Sequence, residues 1–124
     1  MSAMLLDRQE ASVTIQITIP LTRSMLDTEA AIQQALNEAG TLASAEALKQ
    51  FDTDGSPLVI GPTRWTSKGQ EPKTYQTPYG EVEVARHVYQ TGEGGCTFCP
   101  LEQDARIILT STPRFAMPVL RNKR

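Results

Sequence analysis

Residues 73–90 constrain this chain more than any other stretch. The run Lys73-Thr74-Tyr75-Gln76 meets Thr77-Pro78-Tyr79-Gly80, and residues 81–90 follow as a second extended run. Proline and glycine inside four residues mark a turn, and the runs on either side predict the two arms of a hairpin. In the return arm Val82, Val84, Arg86 and Val88 fall on one face, with Glu83, Ala85, His87 and Tyr89 on the other. That period of two belongs to a strand and not to a helix. Upstream, Leu58-Val59-Ile60, a Gly61-Pro62 turn and residues 63–67 predict another hairpin. The second half of the chain therefore reads as an antiparallel β meander of two hairpins, which needs a hydrophobic cover on one face.

The cover is sought in the first half. Val13, Ile15, Ile17 and Ile19 alternate with polar residues and predict one strand, ended by Pro20. Ser24-Met25-Leu26-Asp27 has the layout of a capping-box variant, with Ser24 as N-cap. Ile32, Leu36 and Ala39 then lie on one helical stripe, and residues 42–51 are again helical by propensity, with Ala45, Leu48 and Phe51 at steps of three. Gly40 leaves one long helix and two short ones equally open. Residues 52–57, DTDGSP, read as a turn; D-x-D-G begins like a calcium loop, but the later ligands and closing Glu are absent. After the meander, residues 91–95 (TGEGG) predict a turn. Residues 101–109 predict a short helix with Leu101, Ala105, Ile108 and Leu109 inward, and Ser111-Thr112-Pro113 predicts a further helix start.

The fold class expected is α+β. It comprises a ragged N-terminus over residues 1–12, a single domain over 13–110, and the start of another helical segment over 111–124. A length of 124 residues suits one such domain. No apolar run approaches membrane-spanning length, and two cysteines are too few for a disulfide framework, so a reducing, cytoplasmic setting is expected.

The formal charge of −2 excludes a histone-like basic coat. The charge is unevenly spread, net −5 over residues 1–60 and +3 over 61–124. In the basic half Arg64, Trp65, Lys68, Lys73, Tyr75, Tyr79, Arg86 and Tyr89 interleave cations with aromatics. Cations pair with phosphates and aromatics stack on bases; alternatively the aromatics pack inward while the cations solvate the surface. Arg64, Lys68, Lys73, Arg86 and His87 are the candidates for DNA contact. Cys96 and Cys99 have the spacing of half a zinc knuckle, but structural zinc takes four ligands and His87 is the sole histidine. No P-loop, G-x-G-x-x-G or HExxH occurs, and no spacing of carboxylates marks a two-metal site. No catalytic residue, metal or cofactor is expected.

The strings KTYQTPYGEVEVARHVYQTGEGG and TFCPLEQDARIILTSTPRFA, spanning residues 73–116 without Cys96, resemble the N-terminal region of bacterial insertion-sequence transposases of the ISKra type. The upstream ITIPLTRSMLDTEAAIQQALNEAGTLASAEALKQFDTDGS is similar to the preceding part of that region, so the resemblance covers residues 15–116. It implies a parent of the mutator-like DDE group, which joins DNA with three carboxylates and divalent metal on an RNase H-like domain. That domain lies downstream of these motifs, and Glu81, Glu83, Glu102 and Asp104 belong to the motifs and not to the triad. After residue 116, MPVLRNKR departs from the family pattern. The expectation is a truncated transposase fragment, not an enzyme on its own, that contacts element-end DNA. The alternative is an interaction module that dimerises with itself or associates with, and inhibits, full-length transposase. The family pattern includes Cys99 and not Cys96, which argues against zinc.

Overall fold

The computed structural model describes residues 2–91 and 97–116. The expected turn at residues 92–95, Cys96 and the segment 117–124 lie outside them. The first difference from expectation comes at the start. Ala3–Arg8 forms strand β1, antiparallel to β2 at Val13–Ile17, where a ragged terminus was expected. The sequence AMLLDR has no alternation and is composed mainly of helix formers; its extended state comes from pairing with β2.

The helical stretch is one helix, α1, Met25–Lys49. Ser24 caps it, its hydroxyl accepting from the Asp27 amide at 3.2 Å. Asp27 in the first turn and Lys49 in the last match the helix dipole. Gly40 does not end the helix. A Cβ at Gly40 would stand 2.7 Å from Tyr79 Cβ, so the glycine seats the Tyr79 side chain against the helix. The buried stripe also differs from the expected Ile32, Leu36 and Ala39. Thr28, Ala35 and Leu48 are buried, whereas Leu36 is exposed. Helix α1 packs against β1 and β2 and against the main sheet, and Ile15, Tyr79, Ala39, Gly40, Ala43 and Ala47 line a common cleft between these layers.

The main sheet has the order β3-β4-β5-β6, all antiparallel: β3 Leu58–Ile60, β4 Thr63–Thr77, β5 Gly80–Gln90 and β6 Thr97–Phe98. The two expected hairpins thus share the uninterrupted strand β4. Gly69 and Pro72 look like breakers in the sequence but interrupt nothing. Gly69, at φ +104°, lies in a bulge between Ser67 and Gln70, and Pro72 sits where β4 has one neighbouring strand.

The core lies where the C-terminal end of α1 and the short helix α2, Pro100–Asp104, meet the sheet. Leu48, Tyr75, Val82, Val84, Leu101 and Ala105 form it, with Phe51, Cys99 and Ile107 at its margin. Leu101 and Ala105 point inward as expected; Ile108 and Leu109 do not, and Leu109 is 89% exposed. Helix α2 is shorter than expected because the chain leaves it through Arg106, at φ +58°. The Ile107 amide donates to Glu102 O at 2.9 Å and the Arg106 amide to Gln103 O at 3.2 Å, a Schellman ending. Residues 113–116 are helical, consistent with a start at Ser111-Thr112-Pro113. No helix among the described residues is long and apolar enough to cross a membrane.

Candidate nucleic-acid interface

The five residues expected to meet DNA divide into three environments. Arg64 and Lys68 lie on the half of β4 nearest β3, both exposed, and neither enters an ion pair among the described residues. Cross-strand partners share a face, so Val59–Arg64 and Thr66–Gln90 place Arg64 and Thr66 on the same side as Gln90 and Val59. By the parity of β5, this is also the side of Val82, Val84 and Arg86. One face of the sheet is therefore covered by α1 and α2 at one end and carries exposed cations at the other.

Lys73 and Arg86 belong to a polar cluster at the margin of the core. Arg86 is 8% exposed; its Nε donates to Tyr75 Oη at 2.9 Å and its Nη1 to Glu71 O at 2.9 Å. Tyr75 Oη donates in turn to Glu102 Oε2 at 2.7 Å. The same oxygen accepts from Lys73 Nζ at 2.9 Å, and Arg86 Nη2 stands 3.6 Å from it. The strands β4 and β5 position the cations and the tyrosine; Glu102 comes from the first turn of α2. Burial would raise the Glu102 pKa, but hydrogen bonds from Lys73 and Tyr75 and the charges of Lys73 and Arg86 hold it below the ordinary carboxyl value. Tyr75 is pushed upward, first by burial and then by donating to the carboxylate. For Arg86 burial acts downward, and the bond to Tyr75 and nearby negative charge more than offset it. The cluster holds a protonated tyrosine and an ionised acid–base pair.

His87 forms the third environment. A candidate for DNA contact by sequence, it is half-buried under the turn that follows α1. Asp52 holds it twice, Oδ1 accepting from the His87 amide at 2.8 Å and Oδ2 lying 2.9 Å from Nδ1. Gln70 Nε2 donates to Oδ2 at 3.2 Å. Burial tends to raise the Asp52 pKa, and these bonds reverse it, leaving the carboxyl below its ordinary value. Tyr89 anchors the same turn, its Oη 2.6 Å from Thr53 Oγ1 and donating to Ser56 O at 2.8 Å. This explains why Tyr89 is buried although it stands on the face opposite Val82 and Val84: the turn supplies a second, local cover.

The interleaved aromatics are largely taken up by packing. Tyr75 and Tyr89 are buried, Trp65 lies against Phe98 with centroids 5.6 Å apart, and Tyr79 rests on α1. Trp65 alternates with Arg64 and Thr66, so it stands on the opposite face of β4 from the exposed cations. Cys99 lies half-buried at the core margin, its thiol pushed up by burial. Among the described residues no three His, Cys, Asp or Glu side chains converge as a metal site.

Glu102 and Asp52 were missed as partners of the candidate cations. Asp52 carried only a turn signal, and no local spacing ties residue 102 to residues 73 and 86. Lys73 and Tyr75, two apart on a strand, were the available clue that a cation and a phenol share one face. Comparison with protein-family models, curated proteins and solved structures finds no match to this chain.

Proposed function

We propose that this chain is the N-terminal region of an ISKra-type insertion-sequence transposase and that its task is contact with element-end DNA in the bacterial cytoplasm, without strand chemistry of its own. The motifs of residues 73–116 support the family reading. The observation that carries the DNA reading is the exposed half of β4, where Arg64 and Thr66 share a sheet face that α1 and α2 leave uncovered and the exposed Lys68 follows in the bulge. Two cations there neutralise phosphates; with Trp65 on the opposite face, the contact is to backbone and carries little sequence information.

A mobility-shift titration against element-end duplex over a range of salt concentrations tests this. Arg64→Ala/Lys68→Ala is expected to weaken binding across all sequences and to lower the slope of log affinity against log salt by about two. An unchanged slope, or no binding by the parent at low salt, would overturn the reading.

A second reading rests on a different surface. Met4 and Leu6 on β1 are large apolar residues left exposed, as are Leu21, Met25, Leu26 and Leu36, and β1 has a strand neighbour on one side alone. An apolar edge of this kind fits a module that pairs with itself or with a longer transposase chain. Sedimentation across a concentration range distinguishes the two: self-association lost in Met4→Lys/Leu6→Lys, with DNA affinity absent, favours the interaction module.

A further inference from the structure

Three donors in the polar cluster converge on a single oxygen. Lys73 Nζ and Tyr75 Oη lie 2.9 and 2.7 Å from Glu102 Oε2, while Arg86 Nη2 falls short at 3.6 Å. No hydrogen bond among the described residues reaches Oε1. Two of the three donors are fixed in place. Tyr75 is fully buried, and Arg86 is fixed by its bonds to Tyr75 Oη and Glu71 O, leaving Nη2 directed at the carboxylate. The occupant is less constrained, since the Glu102 side chain is 26% exposed and rises from a five-residue helix. A planar carboxylate using one oxygen underfills a cradle of a lysine, a phenol and an arginine. A tetrahedral oxyanion offers separate oxygens to the three donors, and arginine and lysine are the side chains that recognise it.

We propose that Lys73, Tyr75 and Arg86 form a phosphate-binding site that Glu102 occupies in the free protein, and that a phosphate group enters when the Glu102 side chain swings outward. For the carrier of that phosphate, a nucleic-acid backbone, the inference rests on the DNA reading above; the site itself does not. The cradle and Arg64 belong to the same face of the sheet, so one phosphodiester chain passing over Arg64 and Lys68 would approach it. In the resting protein Glu102 engages two of the cations expected to meet DNA and offsets one of their two charges, and its displacement frees both.

The test uses the full chain and inorganic phosphate as the probe, read by chemical-shift titration. Glu102→Ala empties the cradle, and Glu102→Gln is the companion variant should the first fail to give a dispersed native spectrum. A site open only in the fraction of molecules with Glu102 displaced loses affinity by that fraction, so the variant is expected to bind phosphate about tenfold or more tightly than the parent. Adding Lys73→Met should abolish the gain. The proposal is overturned if the folded variant shows no gain, or if the gain survives Lys73→Met. A parallel titration with duplex DNA separates the two readings. Tighter phosphate binding together with a salt slope steeper by about one supports the site and its carrier. A phosphate gain without any DNA binding keeps the site and removes nucleic acid as its ligand.

Discussion

The two sheets that pack on α1 keep different company. At the main-sheet end Leu48 is sealed between the sheet and α2, and Lys73 and Arg86 at that margin share the carboxylate of Glu102. The β1–β2 hairpin lies along the C-terminal half of α1, where Ser2 N donates to Glu38 Oε1 at 3.4 Å and Arg8 stands 3.5 Å from Glu46; Ala3 and Ala35 are buried, but Met4 and Leu6 on the hairpin and Met25 and Leu26 at the start of α1 are left in the open. The difference lies in the number of layers. The sheet end has helix, sheet and a second helix around one apolar cluster, whereas a two-stranded hairpin on one helix has too few layers to bury side chains on both of its faces. Stability should therefore concentrate at the sheet end, and the hairpin is the surface available to a partner.

Truncating a core residue gives the largest expected difference between the two regions. Leu101→Ala should lose about 2–5 kcal/mol of unfolding free energy in urea, because Leu101 is fully buried and its neighbours close only partly over the gap. Met4→Ser and Leu6→Ser, at 54% and 53% exposed, should each stay within about 0.5 kcal/mol of the parent. Comparable losses in both regions would break the comparison. They would mean that the hairpin is covered in solution, and the interaction reading would gain what the DNA reading lost.

The seat of Tyr79 on Gly40 gives the next effect. Gly40→Ala places a methyl group into the near part of the Tyr79 side chain, not its mobile tip, and should destabilise by about 1–3 kcal/mol. In a Tyr79→Ala background the collision is gone and the helix preference for alanine remains, so the same change should stabilise by up to about 1 kcal/mol. Urea unfolding of the four proteins in the cycle reads the reversal directly. If the sign does not change, the helix does not owe its glycine to the turn of the hairpin.

Acid should weaken the sheet end through two carboxyls. Glu102 and Asp52 are both held below their ordinary values of 4.5 and 3.8. A carboxyl with a lowered folded value contributes its full stabilisation above the unfolded value and loses it as pH falls through the folded one. Stability is therefore expected to be independent of these groups near neutrality and to decline as pH drops below 4.5, with Asp52 adding to the decline below 3.8. Urea midpoints measured as pH is lowered should fall less steeply in Glu102→Gln over the first part of that window and in Asp52→Asn over the second. Equal slopes in parent and variants would show that neither cluster contributes to acid sensitivity.

Much of this arrangement was legible from local pattern. The alternation from Val82 to Arg86 and the turn at Thr77–Gly80 specify a strand pair and its register, because side-chain period and turn length are local properties. The capping role of Ser24 was equally plain. What escaped depends on distant pairing. β1 is a strand because β2 lies beside it. Leu36 is exposed and Ala35 buried because elements distant in sequence, and not the helical period alone, decide which stripe of α1 faces inward. Arg86 and His87 looked alike as positive residues in a basic half, yet one is bound by an acid sixteen residues ahead and the other by an acid thirty-five behind. Charge pattern names the cations; only the fold says which of them are already spent.

The smallest expected effect concerns the exit from α2. Arg106 adopts φ +58° at the position after the C-cap, where a Cβ crowds the following carbonyl and glycine is the usual occupant. The geometry is nevertheless held, since Ile107 and Arg106 donate back into the helix and Ile107 packs against the core. Arg106→Gly keeps both hydrogen bonds and removes the crowding, against a cost from the freer unfolded chain. The net is expected to be a gain of about 0.5–1 kcal/mol. Arg106→Ala retains the Cβ and should bring no such gain, which separates backbone strain from loss of the arginine's charge. A gain confined to the glycine variant would show that α2, and with it Glu102, is held in place against local strain. The sheet end would then owe its rigidity to long-range packing on Leu101 and Ile107 and not to the intrinsic stability of a five-residue helix.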